Sequence, residues 1–221
     1  MGSLQAFTSI IAFILFVHTK DSLRFKLFCL LVFIICTINF IISGTRGALI
    51  VYTPMVIYVI LCRKLFIQAA ISVIGMTLIY LLIFTYVMHD YYAVHRLRSA
   101  FDPNDASMQI RVNTRLDNNE YINKNIMGWG LGTTGHTGHR FYGIFNVIDA
   151  PDGYFLVYHS ELGRLGLFLF FLFNLFVFGN TFWMLYKVKI PDKLYYQILA
   201  VSCALLGLVL QGYTGAGMAS Y

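Results

Sequence analysis

The chain has 221 residues, of which 58% are hydrophobic, 17% aromatic and only 12% charged. So little polar surface cannot cover a water-soluble core, which excludes an ordinary soluble domain and points to a membrane protein. The net charge of +6 sits in short clusters at the ends of apolar runs, with no basic stripe interleaved with aromatics, and this excludes a nucleic-acid surface.

Apolar runs at 4–18, 25–43, 48–62, 65–88, 165–186 and 194–214 approach the ~20 residues needed to cross ~30 Å of hydrocarbon. They predict an all-α polytopic membrane protein with about six transmembrane helices. Four of these lie in residues 1–88, a large extracytoplasmic loop occupies 89–153, and two more follow in 154–221. Lys20, Arg24 and Lys26 fall between the first two runs, Arg63 and Lys64 between the third and fourth, and Lys187, Lys189 and Lys193 between the last two. These alternate connections share one side and hold eight of the sixteen Lys and Arg residues against Asp21 and Asp192. The positive-inside rule makes that side cytoplasmic, so both chain ends and residue 46 face outward. An outward amino terminus without a cleavable signal predicts the carboxy-terminal part of a longer membrane protein, or one subunit of a split one. Cys29, Cys36, Cys62 and Cys203 lie within or at the edge of spans and read as small buried apolar residues, with neither a disulfide framework nor a zinc spacing.

Between the second and third runs, "NFIISGTRGALIVY" sets Arg46 at the end of one span and the start of the next. A charge in hydrocarbon costs about 2.5–3.5 kcal/mol on insertion scales. Arg46 therefore either snorkels to the outer headgroups or forms an anion site, with Ser43 and Thr45 adding hydroxyls and the third span presenting free amides. A guanidinium beside a helix start suits a phosphate.

The outer loop is rich in aromatics, and "SMQIRVNTRLDNNEYINKNI" predicts a helix over 107–124 with Ser107 as its N-cap. Arg111 and Arg115, four residues apart on it, emerge from one face. They form either a second anion clamp or a solvated face pairing with Asp117 or Glu120. Then "GWGLGTTGHTGHRFYG" carries six glycines in sixteen residues and predicts a turn-rich element whose backbone goes where a Cβ cannot follow. His136 and His139 within it have no acidic residue close in sequence, which argues against a metal site. Trp129 and Tyr142 offer faces on which sugar rings stack, as do Tyr91, Tyr92 and Phe141, or else they fill the loop's own core.

In "PDGYFLVYHSELGRLGLFLFF", Pro151 and Asp152 start a helix that enters the membrane near Gly163 and Gly166, whose spacing lets a neighbouring element pack closely. Asp152 at the outer boundary is either an N-cap or a base, and His159, two turns on, shares its face or is structural. Glu161 and Arg164 sit one turn apart and are expected to pair.

The order "SGTRGALI", "FDPNDASMQIR", "GWGLGTTG" and "APDGYFLVYHSELGRLGLFLFF" around one large outer loop resembles the O-antigen ligase and O-antigen polymerase family of bacterial membrane glycosyltransferases, over about residues 40–186. The resemblance implies a GT-C-like, metal-independent enzyme without a cofactor. It would sit in the bacterial inner membrane with the loop periplasmic, transferring a glycan with inversion from undecaprenyl diphosphate to a sugar hydroxyl. Arg46 and Arg111, with Arg115 beside them, would bind the diphosphate. Asp152 would act as base, with His159 and Glu161 as alternatives. Counting back eleven residues from Gly163 gives Asp152 where ligases keep a histidine, so the resemblance is polymerase-like. Partners implied are the lipid-linked glycan, membrane lipid, a second chain completing the fold and a chain-length regulator. A ligase acting on another acceptor, or a non-enzymatic transporter or channel subunit, are the alternative readings.

Overall fold

The computed structural model describes residues 2–18, 22–43, 50–61, 67, 70, 71, 73–75, 77, 78, 109, 113, 124–134 and 154–212. Its helices are α1 (Gly2–His18), α2 (Leu23–Ser43), α3 (Met55–Leu61), α4 (Tyr154–Lys187) and α5 (Asp192–Gln211), and no strand occurs among the described residues. The regular secondary structure of the described residues is all-helical. Among the described residues, three helices are long and apolar enough to cross a membrane: α2, α4 and α5. The first and third apolar runs are helical but shorter, α1 at 17 residues and the stretch Ile50–Leu61. Of the fourth, only scattered helical positions between 67 and 78 are described.

The chain divides into two compact units, one formed by Met1–Ala100 with Phe178–Leu210, the other by Phe101–Val177 with Gln211–Tyr221. In the first, α1 packs along α2. The buried side of α2 is Cys29, Phe40 and Ile41, with Phe33 packed against the same core; steps of four and seven residues carry Cys29, Phe33 and Phe40 along one helix face, and Ile41 adjoins them. Its other sides keep Phe28, Leu31, Ile35, Ile38 and Ile42 exposed. A helix apolar all round, yet buried on one face only, is dressed for lipid rather than water. Ser22 accepts the first amides of α2, from Phe25 at 2.9 Å and Lys26 at 3.2 Å, as an N-cap residue does. Pro54 stands just before α3, where its fixed φ suits a helix start and its missing N–H is not needed.

α5 enters the same core with Ala200, Cys203, Ala204 and Gly207, a small-residue face at spacings of three and four. At Gly207 a Cβ would fall 2.2 Å from the Val51 carbonyl oxygen, so only glycine permits this approach. Cys29 and Cys203 are buried free thiols, as small apolar fillers should be.

Polar side chains tie the ends of these helices. His18 Nε2 and the Tyr58 hydroxyl share a 2.6 Å hydrogen bond, and the His18 ring stacks on Tyr196 with centroids 3.8 Å apart. The Tyr195 hydroxyl donates to the Leu61 carbonyl. The last residues of α1 and α3 thus meet the first turn of α5. Arg24 and Lys26 at the start of α2, and Lys187, Lys189 and Lys193 around the turn from α4 to α5, adjoin these same helix ends in the chain. Lys187 also lies 4.3 Å over the Trp183 ring, a cation–π contact at the carboxy end of α4 where a positive charge is favoured.

Candidate functional site at the break in the fourth helix

α4 is not continuous. Gly163 has φ 69° and ψ −170° inside it, a combination essentially confined to glycine. The 24 residues from Arg164 to Lys187 extend ~36 Å at 1.5 Å per residue, enough to cross hydrocarbon alone. The break therefore falls at one end of the crossing segment and not in its middle.

A break releases main-chain donors and acceptors that a helix would have paired, and each one left unsatisfied in apolar surroundings costs several kcal/mol. The glycine-rich segment 124–134 takes them up. Trp129 N–H donates to the Ser160 carbonyl at 2.9 Å, Gly130 N–H to the Glu161 carbonyl at 3.0 Å, and Arg164 N–H to the Ile126 carbonyl at 3.1 Å. Gly128, Gly130 and Gly132 all have positive φ. At Gly128 a Cβ would stand 2.4 Å from the Glu161 carbonyl oxygen, and at Gly163 one would stand 2.0 Å from that of Ile126. Two glycines distant in sequence are thus needed for the two backbones to touch, as the glycine content of the loop and the entry helix led one to expect.

Side chains then set the loop's shape. Asn125 Nδ2 donates to the Gly128 carbonyl at 2.6 Å, its Oδ1 accepts from Met127 N–H at 3.2 Å, and the Thr133 hydroxyl donates to the Gly130 carbonyl at 2.7 Å. The buried Thr134 hydroxyl donates to Glu161 Oε1 at 2.6 Å. This last bond reaches a partner 27 residues on and holds one oxygen of the carboxylate in place. Phe155 and Tyr158 pack on Phe170, the latter stacked at 4.7 Å, across the break from one piece of α4 to the other.

Of the eight candidate site residues, Trp129, His159 and Glu161 are described, and all three fall in this junction. Trp129 is half-buried and its amide grips the residue between the other two; His159 is half-buried, its Nε2 enclosed and without a hydrogen-bond partner among the described residues. Arg46, Arg111, Arg115, Asp152 and Tyr142 lie outside the described residues, as do His136 and His139. Of the predicted loop helix 107–124, Gln109 and Asn113 are helical and Lys124 stands in a turn. The one-turn spacing of Glu161 and Arg164 runs through non-helical Gly163, so the helical geometry behind their expected pairing is interrupted, and Glu161 is engaged by Thr134 instead. Sequence reasoning missed Thr134, Asn125 and Ser160, whose roles depend on a fold-back no local spacing displays. Among the described residues no set of three His, Cys, Asp or Glu side chains is grouped to hold a metal. The chain matches no protein-family model, no curated protein and no solved structure.

Proposed function

We propose that the chain is a membrane glycosyltransferase of the bacterial inner membrane that transfers glycan repeat units from undecaprenyl diphosphate to a sugar hydroxyl, elongating a surface polysaccharide. The observation that carries this reading is the junction at Gly163. There an end of a membrane-crossing segment is opened and sealed by a loop holding an aromatic residue, an enclosed imidazole and a carboxylate in one place. A lipid-linked sugar presents its reacting bond at the membrane boundary, where such groups are useful. The order of the motifs around the outer loop adds to it.

The chemistry sets two demands. The departing diphosphate gains negative charge and needs fixed cations, a role assigned to Arg46, Arg111 and Arg115. The acceptor hydroxyl needs a positioned base, drawn from Asp152, His159 and Glu161. A transporter would place its broken helix and ionisable groups near mid-span, whereas α4 breaks where a full crossing length still follows, and this favours the enzyme.

Replacing Arg46 by alanine in the producing bacterium, with the surface polysaccharide run on a gel, tests the reading. Collapse of the ladder to single-repeat products is expected. Loss of surface attachment with accumulated lipid-linked polymer would instead indicate a ligase, and an unchanged ladder at normal protein level would refute both.

A further inference from the structure

Resting on the glycosyltransferase reading, we infer that Glu161 is the base that takes the acceptor's proton, and that Thr134 is the positioning residue that aims it. Of the two candidate bases among the described residues, Glu161 is the one that the structure holds from outside its own helix. Thr134 Oγ1 donates to Oε1 at 2.6 Å. The main chain around Glu161 is fixed as well, because the carbonyls of Ser160 and Glu161 and the amide of Arg164 are all bonded to the loop. A base is effective when its lone pair is held in line with the proton it removes, and a misplacement of ~1 Å costs ~100-fold. Binding Oε1 to a hydroxyl leaves Oε2 for the acceptor. His159 Nε2 is enclosed and does not present its lone pair to a ligand.

In the step, Glu161 Oε2 accepts the proton of the acceptor sugar's hydroxyl while that oxygen attacks the anomeric carbon of the donor. The bond from that carbon to the diphosphate oxygen breaks, its electron pair leaves with undecaprenyl diphosphate, and the anomeric centre inverts. The proton on Glu161 then passes to water. The side chain thus ends the cycle as the carboxylate that Thr134 holds.

Thr134 acts only through Glu161, so the two substitutions must not add. The assay uses the purified full chain in detergent, with undecaprenyl diphosphate carrying one repeat unit, isolated from the producing strain, as both donor and acceptor. Glu161→Gln is expected to lower kcat ~100-fold or more, within the usual range for a general base, with KM for the lipid-linked substrate unchanged. Thr134→Val should lower kcat ~10-fold through misalignment, Thr134→Ser should restore it, and the double variant should match Glu161→Gln alone. A folding defect would lower the active fraction of Thr134→Val and would still add to Glu161→Gln. Additive losses, or wild-type kcat in Glu161→Gln while Arg46→Ala is inactive, would overturn the inference and leave the reaction standing. A wild-type chain that elongates nothing would overturn the reaction itself.

Discussion

The helix bundle of the first unit and the junction of the second keep their chains together by different means. In the bundle, rings and methyl groups interlock: Phe13 against Phe33 at 5.5 Å, Phe40 against Tyr52 at 5.6 Å, His18 flat on Tyr196. In the junction the contact is main chain to main chain, through three hydrogen bonds between residues 126–130 and 160–164. Side-chain packing yields in steps, because neighbours shift to fill or vacate a methylene's worth of space. A backbone bridge closed by glycines has no such intermediate steps. A group placed between the two chains opens it.

Gly163→Ala is the substitution that presses hardest on this contrast. The backbone conformation alone costs about 1–3 kcal/mol for a residue with a Cβ, and that Cβ would meet the Ile126 carbonyl at 2.0 Å. Loss of the bridge forfeits about 1 kcal/mol for each of its bonds, for a total of about 4–6 kcal/mol of local stability. Hydrogen exchange at the Trp129 and Gly130 amides reads it directly: slow in the native chain, fast in the variant. Protection retained in the variant would mean that the loop has a hold on α4 other than this bridge. In the bundle the counterpart is Gly207→Ala, whose added carbon meets Val51 at 2.2 Å. The obstacle is the Val51 main chain, so α5 must shift as a whole, and a loss of about 2–3 kcal/mol, the upper part of the overpacking range, is expected in reversible denaturation. The exchange pattern of the junction should not change.

The bundle was far more legible in the sequence than the junction. Runs of apolar residues near 20 long announce spans because hydrocarbon thickness imposes that length, and the lysines between the last two runs announced the turn from α4 to α5. Small residues at Ala200, Cys203, Ala204 and Gly207 follow a spacing that any helix displays. The glycines of "GWGLG" and the pair at 163 and 166 were also visible, and their shared meaning, close approach, was readable. What could not be read was that Gly128 and Gly163 approach each other, while Gly166 meets the Leu162 side chain of its own helix. That approach depends on a fold-back across some thirty residues and on a break that no proline marks, at Gly163 within α4. The Thr134 to Glu161 bond was illegible for the same reason, and the i, i+3 spacing of Glu161 and Arg164 suggested a local pairing whose helical premise the break removes.

Smaller effects sharpen the comparison inside the bundle. Tyr58→Phe removes the hydroxyl bonded to His18 Nε2 in a fully buried setting, and about 1–2 kcal/mol should be lost. A differential measurement with His18→Asn and the double variant isolates the pair's coupling, which should account for most of that loss if the bond, and not ring packing, holds the ends of α1 and α3 together.

The smallest effect is expected on α4. Its apolar window is 6% buried against 56% for α5, although both are long enough to cross a membrane. Phe176 is 69% exposed and Leu175 71% exposed on that surface. In lipid, tails fill whatever volume a truncation vacates, so no cavity term arises and Phe176→Ala should change stability by less than ~0.5 kcal/mol. The measurement is informative because α4 carries the break. If its exposed face meets lipid alone, the helix is held by the loop at one end and by Leu185 and Phe182 in the hydrophobic core at the other, and Gly163→Ala should loosen the amides from Arg164 to Phe170 as well as those of the loop. A loss of several kcal/mol in Phe176→Ala would show instead that a protein surface covers this face, and the loop would then be one of several attachments of α4.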